Sequence, residues 1–130
     1  MDWISYSLDL VNSDGSGMFT LIPPAGFDVL PRPADTLNSA PAHVSWVPGT
    51  DQVALSTRIV LEGPGTSNGS SLYLINTNNG TLTTLMDISS SWSWDYEYSP
   101  DGSRIAVSRP EGVDLYSSDG TLLTKNVIAY

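Results

Sequence analysis

The chain has 130 residues, 14 Asp and Glu against 5 Lys and Arg, and no cysteine. This length suits one domain or a part of one. The formal charge of −9 argues against nucleic acid or an anionic membrane surface as a partner, because both attract cationic proteins. Without cysteine, a disulfide scaffold and thiol chemistry are excluded. Few Glu and Lys among many Ser, Thr, Gly and Asn predict an all-β fold rich in turns.

The first predicted element is a β-hairpin at the N-terminal end. A short run of strand-forming residues ends at Asp14-Gly15 and is followed by a second such run. Asp-Gly and Asn-Gly are the strongest short-range hairpin signals. The same pattern occurs three times, at residues 8–22, 72–86 and 113–124. This recurrence predicts an internal repeat.

A second recurring segment precedes the later two hairpins. Residues 45–56 align with residues 97–108 without a gap, at a constant offset of 52 residues. Each copy reads as a strand ending in an aromatic residue, a Pro/Gly/Asp turn and a second apolar strand. The matched pairs are Trp46 with Tyr98, Pro48 with Pro100, Ala54 with Ala106 and Ser56 with Ser108.

Four short strands in roughly 40–50 residues is the period of a β-propeller blade. The segment 98–107 resembles the TolB-like, WD-related propeller repeat, whose hallmark is an aromatic residue, Ser-Pro-Asp-Gly and an Ile-Ala-aliphatic strand. The residues that carry the resemblance are Tyr98, Ser99, Pro100, Asp101, Gly102, Ile105 and Ala106, with Trp46, Pro48, Gly49 and Ala54 in the other copy.

The expected fold is therefore a partial β-propeller of about two and a half four-stranded antiparallel blades. A closed propeller has about four to eight blades, so we expect missing blades or self-association to complete the ring. The expected segments are the rear half of a first blade at 1–22, a Pro-rich connection at 23–41, a second blade at 42–86 with an inserted loop at 62–71, a third blade at 87–124, and the start of a further blade at 125–130.

The candidate ligand surface lies in the alternating segment 92–99. In a strand, Trp92 and Trp94 would face one side, and Asp95 and Glu97 the other. One interpretation is an aromatic platform for a sugar or peptide beside two carboxylates. The interpretation that we favour is aromatic packing between blades with an exposed acidic edge, because aromatic residues dominate core burial. Two carboxylates side by side on one strand do not flank a substrate as the pair in an inverting glycosidase does.

No catalytic, metal or cofactor residues are expected. Residues 65–69 match G-x-S-x-G, but the nucleophile elbow needs a strand before it, a helix after it and a downstream histidine. Here a strand is predicted to follow. The single histidine, His43, lies upstream, and we expect it to be structural or exposed.

The resemblance implies a non-catalytic binding or scaffolding segment of a larger exported bacterial protein, periplasmic or at the cell surface. The expected partner is a protein or peptide, with carbohydrate as a further possibility, and neither nucleic acid nor membrane insertion is expected. Two alternatives remain open. One is the propeller of a prolyl-oligopeptidase-like serine peptidase without its hydrolase domain, and the other is a propeller that binds or cleaves sugars.

Overall fold

The computed structural model describes residues 6–23, 26, 36–61, 66–88 and 93–129. Ten β-strands lie in these ranges, which confirms the all-β expectation. They are β1 Leu8–Leu10, β2 Phe19–Ile22, β3 Thr36–Trp46, β4 Gln52–Leu61, β5 Thr66–Asn76, β6 Leu82–Asp87, β7 Asp95–Tyr98, β8 Arg104–Arg109, β9 Gly112–Ser117 and β10 Leu122–Ala129.

The strands form three separate antiparallel sheets in chain order. Sheet A contains β1 and β2, sheet B runs from β3 to β6, and sheet C runs from β7 to β10. Each strand pairs with its neighbour in the sequence, as expected when tight turns join them. Gly80 and Gly120 adopt φ values of 72° and 88° in the last turns of sheets B and C, a conformation that favours glycine.

Two of the predicted segments are shorter than the sequence suggested. Strand β3 begins at Thr36, so the connection expected at 23–41 ends earlier. Pro41 misled that prediction, although it is tolerated because β3 is an edge strand and its pairing shifts register between Pro41 and His43. The loop expected at 62–71 is likewise shorter, because residues 66–71 belong to β5 and extend the hairpin with β4.

The C-terminal boundary also differs from the prediction. Residues 125–129 do not begin a further blade but continue β10, where Ile128 pairs with Val113 of β9. The buried Asp114 carboxylate explains the extension, because it accepts a hydrogen bond of 2.8 Å from the Asn126 backbone amide. Asn126 adopts φ 54°, within a shift of register that lets the strand continue.

Two hydrophobic cores join the three sheets face to face. The core between sheets A and B contains Leu21, Ile22, Leu55, Tyr73 and Ile75. The core between sheets B and C contains Val47, Ala54, Leu72, Met86, Ile88, Trp94, Tyr96, Tyr98, Ile105 and Val107. The inner strands β4 and β5 of sheet B are therefore covered on both faces, which explains why β4 is apolar on both sides. Burying each large apolar side chain contributes about 1.5–3 kcal/mol.

The offset of 52 residues holds for strand pairing as well as for sequence. Sheet B and sheet C begin with hairpins of the same register. The equivalent pairs are Trp46↔Val53 and Tyr98↔Ile105, Ser45↔Ala54 and Glu97↔Ala106, Val44↔Leu55 and Tyr96↔Val107, and His43↔Ser56 and Asp95↔Ser108.

The turns within these two hairpins are closed alike but differ in type. In the first, Pro48 is followed by Gly49 at φ 76°, which corresponds to a type II turn. In the second, Pro100 is followed by Asp101 with a negative φ, as in a type I turn, and Gly102 adopts φ 75° one position later. The glycine with the left-handed φ therefore directly follows the proline in Pro-Gly-Thr and lies two residues after it in Pro-Asp-Gly.

Candidate functional site

A cavity of about 310 Å³ opens where β7 begins and β8 ends. We call it the Asp95 pocket. It is lined by Ser93, Trp94, Asp95, Ser108, Arg109 and Pro110. The antiparallel pairing of Asp95 with Ser108 brings the two strand ends together. The pocket thus contains Trp94 and Asp95, two of the four residues proposed from the sequence as a ligand surface.

Trp94 does not form an open aromatic platform. Its side chain lies in the core between sheets B and C, with 5% of the residue exposed. Its indole Nε1 donates a hydrogen bond of 2.8 Å to the Gly69 carbonyl of β5. The alternating aromatic residues pack between sheets because each has an apolar face of sheet B opposite it. Trp92 lies outside the described residues.

Tyr96 links sheet C to the first two strands of sheet B. Its hydroxyl donates to the Ala54 carbonyl at 2.9 Å and lies 3.0 Å from the Ser45 hydroxyl. Burial is the main reason that the pKa of Tyr96 rises well above its usual value. The neighbouring Tyr98 is also buried, and burial raises its pKa to about 12. The Tyr98 hydroxyl, however, has no hydrogen-bond partner among the described residues.

A histidine–carboxylate pair spans the two sheets beside the pocket. His43 Nδ1 lies 2.8 Å from Asp95 Oδ1, and the His43 ring stacks on Tyr96 with 4.5 Å between ring centroids. Asp95 Oδ1 also accepts a hydrogen bond from the Tyr96 amide at 2.8 Å. Asp95 keeps 64% of its side-chain surface exposed, so its carboxylate can still accept hydrogen bonds from a ligand.

Sequence reasoning did not connect His43 with Asp95. The signal was present, because the two residues are separated by the 52-residue offset and occupy equivalent positions on β3 and β7. What could not be read from the sequence is that equivalent positions of successive sheets lie side by side. That contact depends on how the sheets stack.

Glu97 does not share the pocket with Asp95. It is exposed and pairs with Ala106, further along β7. Only one of the two carboxylates proposed from the sequence therefore reaches the cavity. A pair of carboxylates on either side of a substrate, which glycoside hydrolysis requires, is not formed by Asp95 and Glu97.

Arg109 forms the far wall of the pocket, and its charge is already paired. The guanidinium Nη2 forms an ion pair with Asp114, whose side chain is 3% exposed. Among the described residues, the buried Arg109 Nε has no hydrogen-bond partner. The positive charge of Arg109 is balanced by Asp114 and does not balance the negative charge of Asp95. The Asp95 carboxylate therefore makes the pocket favourable to hydrogen-bond donors and cations.

Ser67 and the residue types that bind metals can be placed in the described part of the chain. Ser67 lies inside β5 with its backbone paired to Ile59, so the strand–turn–helix of a nucleophile elbow is not formed. No group of three or more His, Cys, Asp or Glu side chains gathers around a metal position in the described part of the chain. Within the same residues, no helix has the length and apolar character to cross a membrane.

Comparison of the chain with protein-family models, curated proteins and solved structures gave no match.

Proposed function

We propose that the chain is a segment of a TolB-like β-propeller that serves as a non-catalytic binding surface, with the Asp95 pocket as the ligand site. Support for the propeller comes from the same contact occurring at both junctions between sheets. A Cβ on Gly80 would lie 3.6 Å from the carbonyl oxygen of Leu21, and one on Gly120 would lie 2.9 Å from that of Leu85. In each case, the last turn of one sheet meets the last strand of the sheet before it.

Repetition of this contact is the observation that carries the proposal. Sheet B meets sheet A through one hydrophobic core and sheet C through another, which supports a repeated arrangement that a further sheet would continue. In such an array, the first strands of successive sheets lie next to each other. The contact between His43 of β3 and Asp95 of β7 fits that arrangement.

The ligand that fits the pocket best is a peptide segment with a Lys or Arg side chain. Asp95 offers an exposed carboxylate, and the serine-lined walls are polar. The net charge of −9 attracts cationic segments over a distance. Hydrogen bonds between an ammonium or guanidinium group and a carboxylate are among the stronger ones in proteins.

The test is a titration of the full chain with short capped peptides that carry Lys, Arg, Ser or Glu at the centre, followed by NMR of the backbone amides. Lys and Arg peptides should shift the amides of Asp95, Ser108 and Arg109 saturably. Asp95→Asn should weaken binding by at least about tenfold, since a charge-assisted hydrogen bond contributes about 1.5–3 kcal/mol. Glu97→Gln is the matched control, because it removes the same charge from the same strand outside the pocket.

Equal loss of binding in both variants would show that the peptides respond to overall charge and not to the pocket. The non-catalytic part of the proposal is tested with model ester, peptide and glycoside substrates, for which we expect no turnover. Turnover that disappears in Ser67→Ala or Asp95→Asn would overturn it.

A further inference from the structure

The face of sheet B that meets sheet A is covered over only half its width. Leu55 and Tyr73, on the inner strands β4 and β5, are buried in the core with sheet A. On β3, Val44 is 40% exposed and Trp46 is 59% exposed. Both belong to the same face, because Val44 pairs directly with Leu55 and Trp46 with Val53.

A groove of about 160 Å³ lies between this bare half and the first strand of sheet A. Its walls are mainly apolar. They are formed by Leu8, Asp9, Leu10, Leu21, Val44, Ser45, Trp46 and Val53. In the part of the chain that the structure describes, β1 pairs with β2 alone, and no described strand occupies its other edge, which lies beside the groove. The apolar interface between sheets A and B therefore continues into an open cleft.

The junction between sheets B and C indicates what fits such a cleft. Tyr96 and Tyr98 occupy the positions of sheet C that match Val44 and Trp46, and they are only 3% and 8% exposed. They are covered in the core that contains Ala54 and Val47 of the β3–β4 hairpin. The equivalent residues of sheet B, Val44 and Trp46, are exposed. The described part of sheet A has two strands, whereas sheet B has four, so no described hairpin of sheet A covers them.

We propose that the groove binds a two-stranded β-hairpin, which adds to the edge of β1 beside the groove and covers Val44 and Trp46. This inference rests on the stacking in the proposed function and names the partner that the stacking requires. Main-chain hydrogen bonds to β1 would supply part of the affinity, as in other cases of strand addition. The occupant would present small apolar and hydroxyl side chains, as the β3–β4 hairpin presents Ser45, Ala54 and Ser56 to sheet C.

A second copy of the chain fits the groove less well than a hairpin. Antiparallel pairing of two β1 edges places both copies of sheet B on the same side of the joined sheet, where they would overlap. Parallel pairing would bring the second sheet B against the outer face of sheet A. That face carries Asp9 and Thr20, which are exposed and hydrogen-bonded to each other at 2.8 Å. Covering such a polar pair is costly.

The probe is a cyclised peptide of residues 43–56, closed where His43 and Ser56 pair. The full chain is labelled with 5-fluorotryptophan, and its resonances are followed by fluorine NMR. The peptide should shift the Trp46 resonance saturably and leave that of Trp94 unchanged, since Trp94 is buried in the other core. Val44→Asp should weaken binding at least about tenfold, because burial of an apolar side chain is lost. Val127→Asp, at an exposed position of β10, is the matched control.

An unchanged Trp46 resonance at saturating peptide, or the same loss in both variants, would overturn the proposal. A Trp46 resonance that shifts with protein concentration in the absence of peptide would overturn it in favour of a second copy. A soluble paramagnetic agent distinguishes failure of the hairpin proposal from failure of the stacking between sheets. If the sheets stack as described, the agent broadens the Trp46 resonance and spares that of Trp94. Broadening of both would contradict the stacking on which the proposed function depends.

Discussion

Two tyrosines on β7, Tyr96 and Tyr98, differ in whether their hydroxyl groups have a hydrogen-bond partner. Both are buried in the core between sheets B and C. The Tyr96 hydroxyl donates to the Ala54 carbonyl and approaches the Ser45 hydroxyl, whereas that of Tyr98 has no partner within the described residues. An unpaired buried hydroxyl costs free energy, and a paired one stabilises the fold modestly. Replacement by phenylalanine should therefore affect the two positions differently.

We expect Tyr96→Phe to lower the free energy of unfolding by about 0.5–1.5 kcal/mol, because it removes the buried hydrogen bond between the hydroxyl and the Ala54 carbonyl. Tyr98→Phe should leave that free energy unchanged or raise it slightly. Urea unfolding of both variants measures the difference, and equal m-values would show that the unfolded states are comparable. A Tyr98→Phe variant as destabilised as Tyr96→Phe would mean that the Tyr98 hydroxyl bonds a buried water or another group.

The Asp101 carboxylate organises the turn before β8. It accepts hydrogen bonds from the hydroxyl of Ser99 at 2.7 Å, and from the amide and hydroxyl of Ser103 at 3.0 and 2.7 Å. These bonds, with that from Ser99 the largest, lower the pKa of Asp101 to about 2. Asp14 and Asp119 accept similar bonds in their Asp-Gly turns, and hydrogen bonds from Ser16 and Ser117 respectively are the largest cause of their lowered pKa values.

Because the folded pKa of Asp101 is lowered, its contribution to stability is present above the ordinary value of 3.8 and is lost as the pH falls toward about 2. Asp101→Asn should make the stability less dependent on pH in that window. Thermal unfolding followed between these pH values tests this. High salt should change the result little, because short hydrogen bonds and not distant charges produce the shift. A pH dependence unchanged in the variant would show that the Asp101 hydrogen bonds do not contribute to stability in this window.

Two turn glycines share a backbone conformation but differ in whether they contact the neighbouring sheet. Gly49 and Gly102 both adopt a left-handed φ. A Cβ on Gly49 meets nothing within 4 Å, whereas a Cβ on Gly102 would collide with the Pro48 carbonyl in the turn of sheet B. Alanine at Gly49 therefore has only the cost of its backbone conformation, about 1 kcal/mol. Alanine at Gly102 has the same cost of backbone conformation, and its Cβ must also displace the turn of sheet B that contains Pro48.

Gly102→Ala should lower the free energy of unfolding by clearly more than Gly49→Ala. The excess measures the contact between sheets B and C, and overpacking of this kind typically costs about 1–3 kcal/mol. Parallel denaturant titrations of the two variants give this difference. Equal destabilisation would indicate that the two turns do not touch in solution.

The sequence predicted those elements whose signals are local. Asp-Gly and Asn-Gly turns placed the hairpins, and the 52-residue offset anticipated the shared register of the first two strands of sheets B and C. Pro41 in β3 and the extension of β10 past Lys125 were missed. Both depend on an edge position or on a distant carboxylate such as Asp114, which no local pattern reports.

The residues of the candidate site also differ in whether a local pattern could predict them. Trp94 and Asp95 could be proposed from the alternation in their own strand. His43 and Arg109 could not, because His43 meets Asp95 and Arg109 lines the Asp95 pocket only through the folded arrangement of strands. The burial of Trp94 between two sheets agrees with the aromatic packing favoured from the sequence. Partners across sheets are thus what sequence reasoning lacked here.

At the scale of the whole molecule, sheet B has a different environment from the sheets on either side of it. The two faces of its inner strands are buried in separate cores, whereas sheets A and C each meet one neighbour. Large apolar side chains are exposed in both flanking sheets, including Phe19 in sheet A and Ile128 in sheet C. Exposed apolar surface of this kind favours association. Self-association of the isolated chain therefore stays a prediction, which sedimentation velocity measures.

The three sheets stack in chain order, with sheet B between the other two. Amide hydrogen exchange of the full chain tests this stacking, because local opening reports how well each strand is covered. We expect the slowest exchange in the paired centres of β4 and β5, intermediate exchange in β8 and β9, and the fastest exchange in β1 and β10. Amides of β1 or β10 that exchange as slowly as those of β4 would contradict the stacked arrangement.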